Sequence, residues 1–149
     1  MITYQREHLC SVALDVDALL EMHYQELTLN KDKIRLKPIW QRYQALEDAG
    51  AFVVFTARQD NQLIGYSAFF VNAHLHYEDT ISAVNDVLFL HPDHRKGLTG
   101  VKLIRFSERQ LQDMGAHKVT WHAKHNTTLI PLLEAMGYKN EEVVLGKLF

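Results

Sequence analysis

Apolar residues recur along the chain with two spacings, which together predict alternating strands and helices. Short apolar runs rich in β-branched and aromatic residues predict strands at 2–9, 51–57, 63–71, 81–90, 119–123 and 143–149. Apolar residues three and four positions apart, with helix-starting and helix-ending residues around them, predict helices at 15–27, 38–50, 99–114 and 126–136. Polar segments at 30–37, 59–62 and 74–79 predict the loops and turns between them.

The order of these elements is β-α-α-β-β-β-α-β-α-β, which predicts an α/β fold of mixed type. The strands at 51–57 and 63–71 are separated by a short polar turn and predict an antiparallel hairpin. The strand at 81–90, the helix at 99–114 and the strand at 119–123 predict a crossover between parallel strands. We therefore expect a central mixed sheet with helices on both faces. Because the chain has no repeat, low-complexity tract or linker, we expect residues 1–149 to form one domain.

Composition excludes several classes of protein without naming a function. A hydrophobic fraction of 47% argues against disorder, and a net charge of −2 gives no general attraction to nucleic acid or to an anionic membrane. Cys10 is the single cysteine, so no internal disulfide can form, which fits a reducing compartment. The N-terminal residues lack the apolar run of a signal peptide, and no stretch is long enough to span a bilayer. We therefore expect a cytoplasmic protein.

The junction at 88–100 is the feature that most directly suggests a ligand. The apolar residues Leu88, Phe89 and Leu90 run into His91 and Pro92, and a basic, glycine-containing loop then opens a helix. Amides at a helix N-terminus have no intrahelical acceptor and lie at the positive end of the helix dipole. The junction is therefore predicted to hold a phosphate or pyrophosphate, the alternative being an ordinary turn with solvated basic residues. The loop residues in question are Arg95, Lys96, Gly97, Leu98, Thr99 and Gly100.

The element order, this loop and two later features together resemble the GNAT superfamily of acyl-CoA-dependent N-acyltransferases. In that family, a strand ending in a Val-x-Pro type of segment meets a loop of the form Arg/Gln-x-x-Gly-x-Gly/Ala, whose backbone amides hold the pyrophosphate of CoA. Here Leu90-His91-Pro92 ends the strand and the loop runs from Arg95 to Gly100. Asn126 and Gly137-Tyr138 match a later Asn and a helix that ends in Gly-Phe/Tyr. The resemblance covers nearly the whole chain, and it implies a twisted, mostly antiparallel sheet of six to seven strands and acetyl-CoA as acyl donor.

The chain departs from the family pattern at two positions. With Arg95 and Gly100 on the first and last motif positions, Leu98 stands where the family usually has its first glycine, and Gly97 precedes it. Many members carry a Tyr seven residues after the Asn, which protonates the departing thiolate, and here that position is Leu133. One interpretation is an enzyme with a shifted loop path and with another group, or water, as the acid. The other is a GNAT-fold protein that binds CoA weakly or not at all and acts as an interaction or inhibitory module.

Within the resemblance, the strand before the loop carries the predicted catalytic base and the pantetheine contacts. The family's pantetheine arm pairs with this strand as an added strand would, so we expect Leu88, Phe89 and Leu90 to hold the arm. A backbone N–H of this segment would also polarise the thioester carbonyl. Asp86 is the predicted base, because the attacking amine must be neutral and partial burial raises the pKa of a carboxylate. The alternatives for Asp86 are a solvent-facing position, a cap on a bulge, or the ordering of a neighbouring side chain. The side chain of Asn85 is expected to point to the face of the strand opposite Asp86, unless a bulge changes its direction.

Asn126 can either cap the last helix or contact the pantetheine amides, and Pro131 helps to separate the two roles. If Asn126 were the cap, Pro131 would be the fifth helical residue, where a proline costs roughly 3 kcal/mol. If Thr128 is the cap, Pro131 falls in the first turn, where proline is tolerated. We therefore expect Thr128 to precede the helix and Asn126 to be free to bind the ligand.

The remaining polar residues identify neither a metal nor an acceptor. The histidines and carboxylates at 74–79, or His122 with His125, could ligate a metal, but neither spacing is a specific signature and we expect no metal site. In this fold the first two helices usually wall the acceptor pocket, and their aromatic residues here fit a pocket and a helix core equally. We expect a small-molecule or protein amine as the acceptor, and no nucleic acid or membrane partner. A homodimer stays an open alternative.

Overall fold

The computed structural model describes residues 1–149 and contains five strands and five helices. The strands are β1 (Ile2–Glu7), β2 (Phe52–Gln59), β3 (Gln62–His74), β4 (Tyr77–Leu90) and β5 (Lys118–Thr120). The helices are α1 (Leu9–Val12), α2 (Asp17–Leu27), α3 (Trp40–Asp48), α4 (Thr99–Asp113) and α5 (Leu129–Ala135). A 3-10 turn at Pro92–His94 lies between β4 and α4. None of the helices has the length and apolar character needed to cross a bilayer.

All five strands join in one sheet in the order β1-β2-β3-β4-β5. The first four strands pair antiparallel, and β5 pairs parallel to β4. The parallel pair follows from the connection, because α4 carries the chain back along the sheet between the two strands. The predicted mixed and mostly antiparallel sheet is confirmed, with five strands instead of six to seven.

Alternate residues of the strands build a separate apolar core on each face of the sheet. The core under α1, α2 and α3 contains, among others, Leu9, Leu19, Phe52, Tyr66 and Phe89. The core under α4 contains, among others, Phe55, Phe69, Ala83, Leu103 and Leu111. Helices therefore cover both faces, as predicted, and β4 contributes side chains to both cores.

The predicted last strand at 143–149 is wrong. These residues form no ladder, and Val144 and Leu145 are 82% and 91% exposed. A strand needs a neighbour that satisfies its backbone groups, and the edge strand β5 has only three residues to offer. An ion pair between Lys118 Nζ and Glu141 Oε2, at 2.7 Å, fastens the start of this segment to β5. The alternating apolar residues therefore identified a strand-like segment without a partner.

Several element boundaries differ from the prediction because tertiary contacts extend or shorten the elements. β3 and β4 continue through the predicted loop at 74–79 and form one long hairpin, with His74 opposite Tyr77. Helix α2 begins at Asp17 and α3 at Trp40, so neither Asp15 nor Pro38 opens its predicted helix. Asp15 instead binds the guanidinium of Arg58 at 2.8 Å.

Candidate active site

The turn between β4 and α4 leaves a run of free backbone amides. The N–H groups of His94 and Arg95 donate to the carbonyls of His91 and Pro92, at 2.9 and 3.2 Å. From residue 96 to residue 101 no backbone N–H has an acceptor within the protein, and no side chain caps α4. We call this segment, residues 96–101, the donor loop. Consecutive free donors at the positive end of a helix suit an anion with several oxygens, such as a pyrophosphate.

Gly97 supplies the backbone conformation that the donor loop needs. Its φ is +84°, in the left-handed region that L side chains rarely adopt. Leu98 has a φ of −102°, which any residue tolerates, and its side chain is 64% exposed. The leucine at the family's usual glycine position is therefore unstrained, because the special conformation lies one residue earlier.

The side chain of Arg95 fastens the donor loop to two neighbouring elements. Its guanidinium makes a bidentate pair with Glu26 of α2, with both N–O distances at 2.6 Å, and its Nε donates to the carbonyl of Leu90 at 2.8 Å. The guanidinium also lies 5.1 Å from the ring centre of Phe89. These hydrogen bonds hold the pKa of Glu26 below its usual value. Arg95 therefore holds the end of β4 and the loop in place, and Lys96 is the basic residue of the pair that makes no ion pair.

Beyond Val84, one edge of β4 has no neighbouring strand. β5 pairs with β4 only from Ser82 to Val84, whereas β3 follows β4 as far as Leu90. The side chain of Phe89 packs in the core under α2, where it stacks on His23 with ring centres 5.0 Å apart. Leu88 packs against the opposite core. The segment from Leu88 to Leu90, predicted to hold the pantetheine arm, therefore packs its side chains in the two cores. It lies where β5 no longer pairs with β4.

A β-bulge places Asp86 beside this gap. Ala68 pairs with Val87 and Phe69 pairs with Asn85, so Asp86 is an extra residue without a partner on β3. Asn85 is 1% exposed, and its side-chain amide donates to the carbonyls of Ala68 and Val87 at 3.2 and 2.9 Å. Asn85 therefore stabilises the bulge, because its side-chain amide donates hydrogen bonds to backbone carbonyls where the regular ladder is interrupted.

The carboxylate of Asp86 faces α3 and accepts a hydrogen bond from Tyr43. The distance between Tyr43 Oη and Asp86 Oδ2 is 2.8 Å. Burial raises the pKa of Asp86 above its usual value, although the hydrogen bond from Tyr43 and the charge of His122 act in the opposite direction. Burial and the neighbouring carboxylate also raise the pKa of Tyr43, which therefore remains a proton donor at neutral pH. A half-buried carboxylate of raised pKa accepts a proton more readily than a solvated one, so Asp86 has the chemistry of a base.

A groove lies along the β3–β4 hairpin. It has a volume of about 410 Å³, and its walls include Phe70, Asn72, His74, His76, Ser82 and Val84. The ring of Phe70 stacks on Tyr43, with ring centres 6.4 Å apart. One wall residue of the groove therefore contacts the tyrosine that holds Asp86, although neither Tyr43 nor Asp86 lines the groove.

The connection from β5 to α5 carries Asn126, which has a left-handed φ of +61° and is exposed. Thr128 is the residue that precedes α5, as predicted, so Pro131 falls in the first turn. Leu133 is 6% exposed and belongs to the core, so an apolar side chain stands where the resemblance leads us to expect a tyrosine. No group of three or more His, Cys, Asp or Glu side chains is arranged to hold a metal ion.

Three contacts around the site join residues far apart in sequence and were not predicted. They are the pair of Glu26 with Arg95, the hydrogen bond from Tyr43 to Asp86, and the proximity of His122 to Asp86. A polar pair, Asn85-Asp86, inside an otherwise apolar strand was the one local sign of the bulge.

Comparison with known proteins places this geometry in a family. A family model described as the acetyltransferase (GNAT) family matches residues 16–138. The chain belongs to the GNAT family. The match extends from the start of α2 to the Gly137-Tyr138 pair after α5, and so includes β4, the donor loop and Asn126. A search of the curated proteins found no match.

Solved structures of several acetyltransferases share this fold at low sequence identity. An aminoglycoside acetyltransferase from an uncultured soil metagenomic sample, in complex with sisomicin, is 18% identical with a TM-score of 0.78, covering 99% of this chain and 95% of that one. A ribosomal-protein-alanine N-acetyltransferase from Brucella melitensis biovar Abortus 2308 is 19% identical with a TM-score of 0.74, covering 100% and 99%. A predicted acetyltransferase from Clostridium acetobutylicum, with acetyl-CoA, is 14% identical with a TM-score of 0.73, covering 99% and 96%.

Proposed function

We propose that this GNAT protein is an N-acetyltransferase that moves the acetyl group of acetyl-CoA to a primary amine by direct attack. The acceptor would be a small molecule or a protein amine, and residues 1–149 would act as one domain in the cytoplasm. The observation that carries the proposal is the donor loop, with its free amides, next to the edge of β4 that β5 leaves open.

The part of the site that binds the acyl donor would hold CoA mainly through backbone groups. The amides of the donor loop would bind the pyrophosphate, with Lys96 adding charge and Arg95 keeping the loop in place. The pantetheine arm would lie along the open edge from Leu88 to Leu90, where a backbone N–H would polarise the thioester carbonyl. Asn126, across the gap, would bind the pantetheine amides.

The acceptor side would use Asp86 as the base. An alkyl ammonium must lose a proton before its nitrogen can attack, and Asp86 is the half-buried carboxylate of raised pKa beside the gap. Tyr43 would orient the carboxylate through its 2.8 Å hydrogen bond, leaving the second oxygen for the amine. The solved relatives support a wide range of acceptors, since one is an aminoglycoside acetyltransferase and another a ribosomal-protein-alanine N-acetyltransferase.

Three measurements test this function. Calorimetry should show one acetyl-CoA bound per chain, and a lack of binding at high micromolar concentration would favour the inactive GNAT-fold protein instead. A panel of amines should then reveal an acceptor through the release of free thiol. Asp86→Asn should lower kcat at least 100-fold while the Kd of acetyl-CoA changes less than about threefold.

The matched control for that substitution is Asp60→Asn. Asp60 is an exposed carboxylate in the turn between β2 and β3, where it pairs with the N-terminus. We expect this variant to keep the activity of the wild type. If Asp86→Asn also keeps the wild-type rate across the pH range, Asp86 is not the base.

A further inference from the structure

Asp86 and His122 lie equally far beyond the last pair between β4 and β5. That pair joins Val84 to Thr120, so Asp86 follows two residues later on β4 and His122 two residues beyond the end of β5. Trp121 packs into the core under α4, so its neighbour His122 faces the opposite way. Tyr43 reaches Asp86 from that same side. The carboxylate and the imidazole therefore lie on opposite sides of the gap and on one face of the sheet.

The electrostatics agree with this placement. His122 is near enough for its charge to lower the pKa of Asp86, against the larger effect of burial. The side chain of His122 is exposed to solvent. Its titratable neighbours are Asp86 of β4, which Tyr43 of α3 holds by a hydrogen bond, and Lys124 and His125 next to it along the chain.

Three other positions near the gap are not free to donate a proton to the sulfur: one is apolar, and two are tyrosines that already donate hydrogen bonds to carboxylates. Leu133 stands in the core at the position of the family's usual tyrosine. The hydroxyl of Tyr138 donates to Glu108 of α4 at 2.6 Å, and that of Tyr43 donates to Asp86. Histidine is the side chain whose proton exchange falls nearest to neutral pH.

We propose that His122 is a second catalytic residue, which protonates the departing thiolate of CoA from the side of the gap opposite Asp86. This inference rests on the proposed function, because it needs the thioester to lie in the gap between β4 and β5. In this arrangement Asp86 serves the nitrogen of the acceptor and His122 serves the sulfur of the donor.

The proton balance follows from these two positions. A protonated amine must lose two protons to become an amide. Asp86 takes the first, and the freed lone pair forms the C–N bond at the thioester carbonyl. As the C–S bond breaks, its electron pair stays on sulfur, which receives a proton from the His122 imidazolium. Asp86 passes its proton to water, takes the second proton from nitrogen and releases that one to water as well, while the neutral imidazole regains a proton from water.

CoA alone is the probe for this role, because it needs no acceptor. A thiolate absorbs in the ultraviolet where a thiol does not, so a pH titration of the protein–CoA complex reports the ionisation of the bound thiol. An imidazole beside the sulfur forms a thiolate–imidazolium pair and favours ionisation. We expect thiolate absorbance to appear at a pH lower by about one unit in the wild type than in His122→Gln.

The control is His125→Gln, which changes the next histidine of the same connection. His125→Gln should match the wild type, and both variants should keep the wild-type melting temperature because both side chains are exposed. If CoA binds equally to all three proteins and its thiol ionises at the same pH in each, the role of His122 is overturned while the proposed function stands. If CoA does not bind the wild type, both are overturned.

Discussion

Replacing Gly97 with alanine tests whether a left-handed turn shapes the donor loop. A Cβ added at Gly97 meets no atom within 4 Å, so the substitution causes no clash. Its whole effect comes from the φ of +84°, which an L side chain adopts at a cost of roughly 1–2 kcal/mol.

This cost must show in one of two measurable quantities. If the loop keeps its turn, the free energy of unfolding falls by that amount, and the melting temperature falls by about 2–8 °C for a chain of this size. If the loop relaxes to another turn, stability is kept, but acetyl-CoA must restore the original conformation when it binds. The Kd of acetyl-CoA then rises about 5- to 30-fold.

Asparagine is the matched substitution, because it enters the left-handed region more readily than alanine does. Gly97→Asn should therefore show smaller changes than Gly97→Ala in both quantities. Circular dichroism melts measure the first quantity, and calorimetry with acetyl-CoA measures the second. The reasoning is refuted if Gly97→Ala changes neither, or if the two variants behave alike.

Three more substitutions test the site, the strand beside it and an ion pair at the far edge of the sheet. Burial raises the pKa of Asp86 in the folded state, so its ionisation destabilises the wild type at neutral pH. Asp86→Asn should therefore melt at a higher temperature than the wild type at pH 7. This difference in melting temperature should vanish as the pH falls below about 4, where the carboxylate of the unfolded chain protonates. A difference that stays constant with pH would show that ionisation of Asp86 does not destabilise the fold. In Gly65→Ala the new Cβ would lie 2.9 Å from the carbonyl oxygen of Phe89, so the end of β4 must shift. Chemical denaturation should show a loss of about 1–3 kcal/mol, and an unchanged midpoint would contradict the close approach. Burial alone would raise the pKa of Glu7, but hydrogen bonds from Arg58 and Thr56 outweigh it and hold the pKa down. Glu7→Gln should cost about 1.5–3 kcal/mol at pH 7, and the deficit should shrink as acid protonates Glu7 in the wild type; a deficit independent of pH would exclude the ion pair as its cause.

The donor loop and α4 were predictable from the sequence because both depend on local chemistry. Gly97, the free amides and the apolar stripe of α4 lie within one short stretch, and each follows from backbone geometry. The same is true of Thr128 and Pro131, whose relation is fixed by the first turn of α5. Local rules decide such elements before any tertiary contact forms.

The rest of the site depends on which strands meet, and a linear pattern does not contain that information. Glu26 and Arg95 are 69 residues apart, and Tyr43 and Asp86 are 43 apart. His122 gains its place from the parallel register of β4 and β5, which is set by the crossover through α4. The false strand at 143–149 has the same origin, because a β-like segment becomes a strand only where a partner edge is free and long enough.

The central claim is that CoA binds to backbone groups on both sides of the β4–α4 junction. Amide chemical shifts recorded during a titration with CoA test it most directly, since each N–H reports its own contact. We predict saturation at one CoA per chain, with the largest shifts at residues 96–101 and along 87–90. Saturable binding with the largest shifts elsewhere, or no shifts at these amides, would contradict the account.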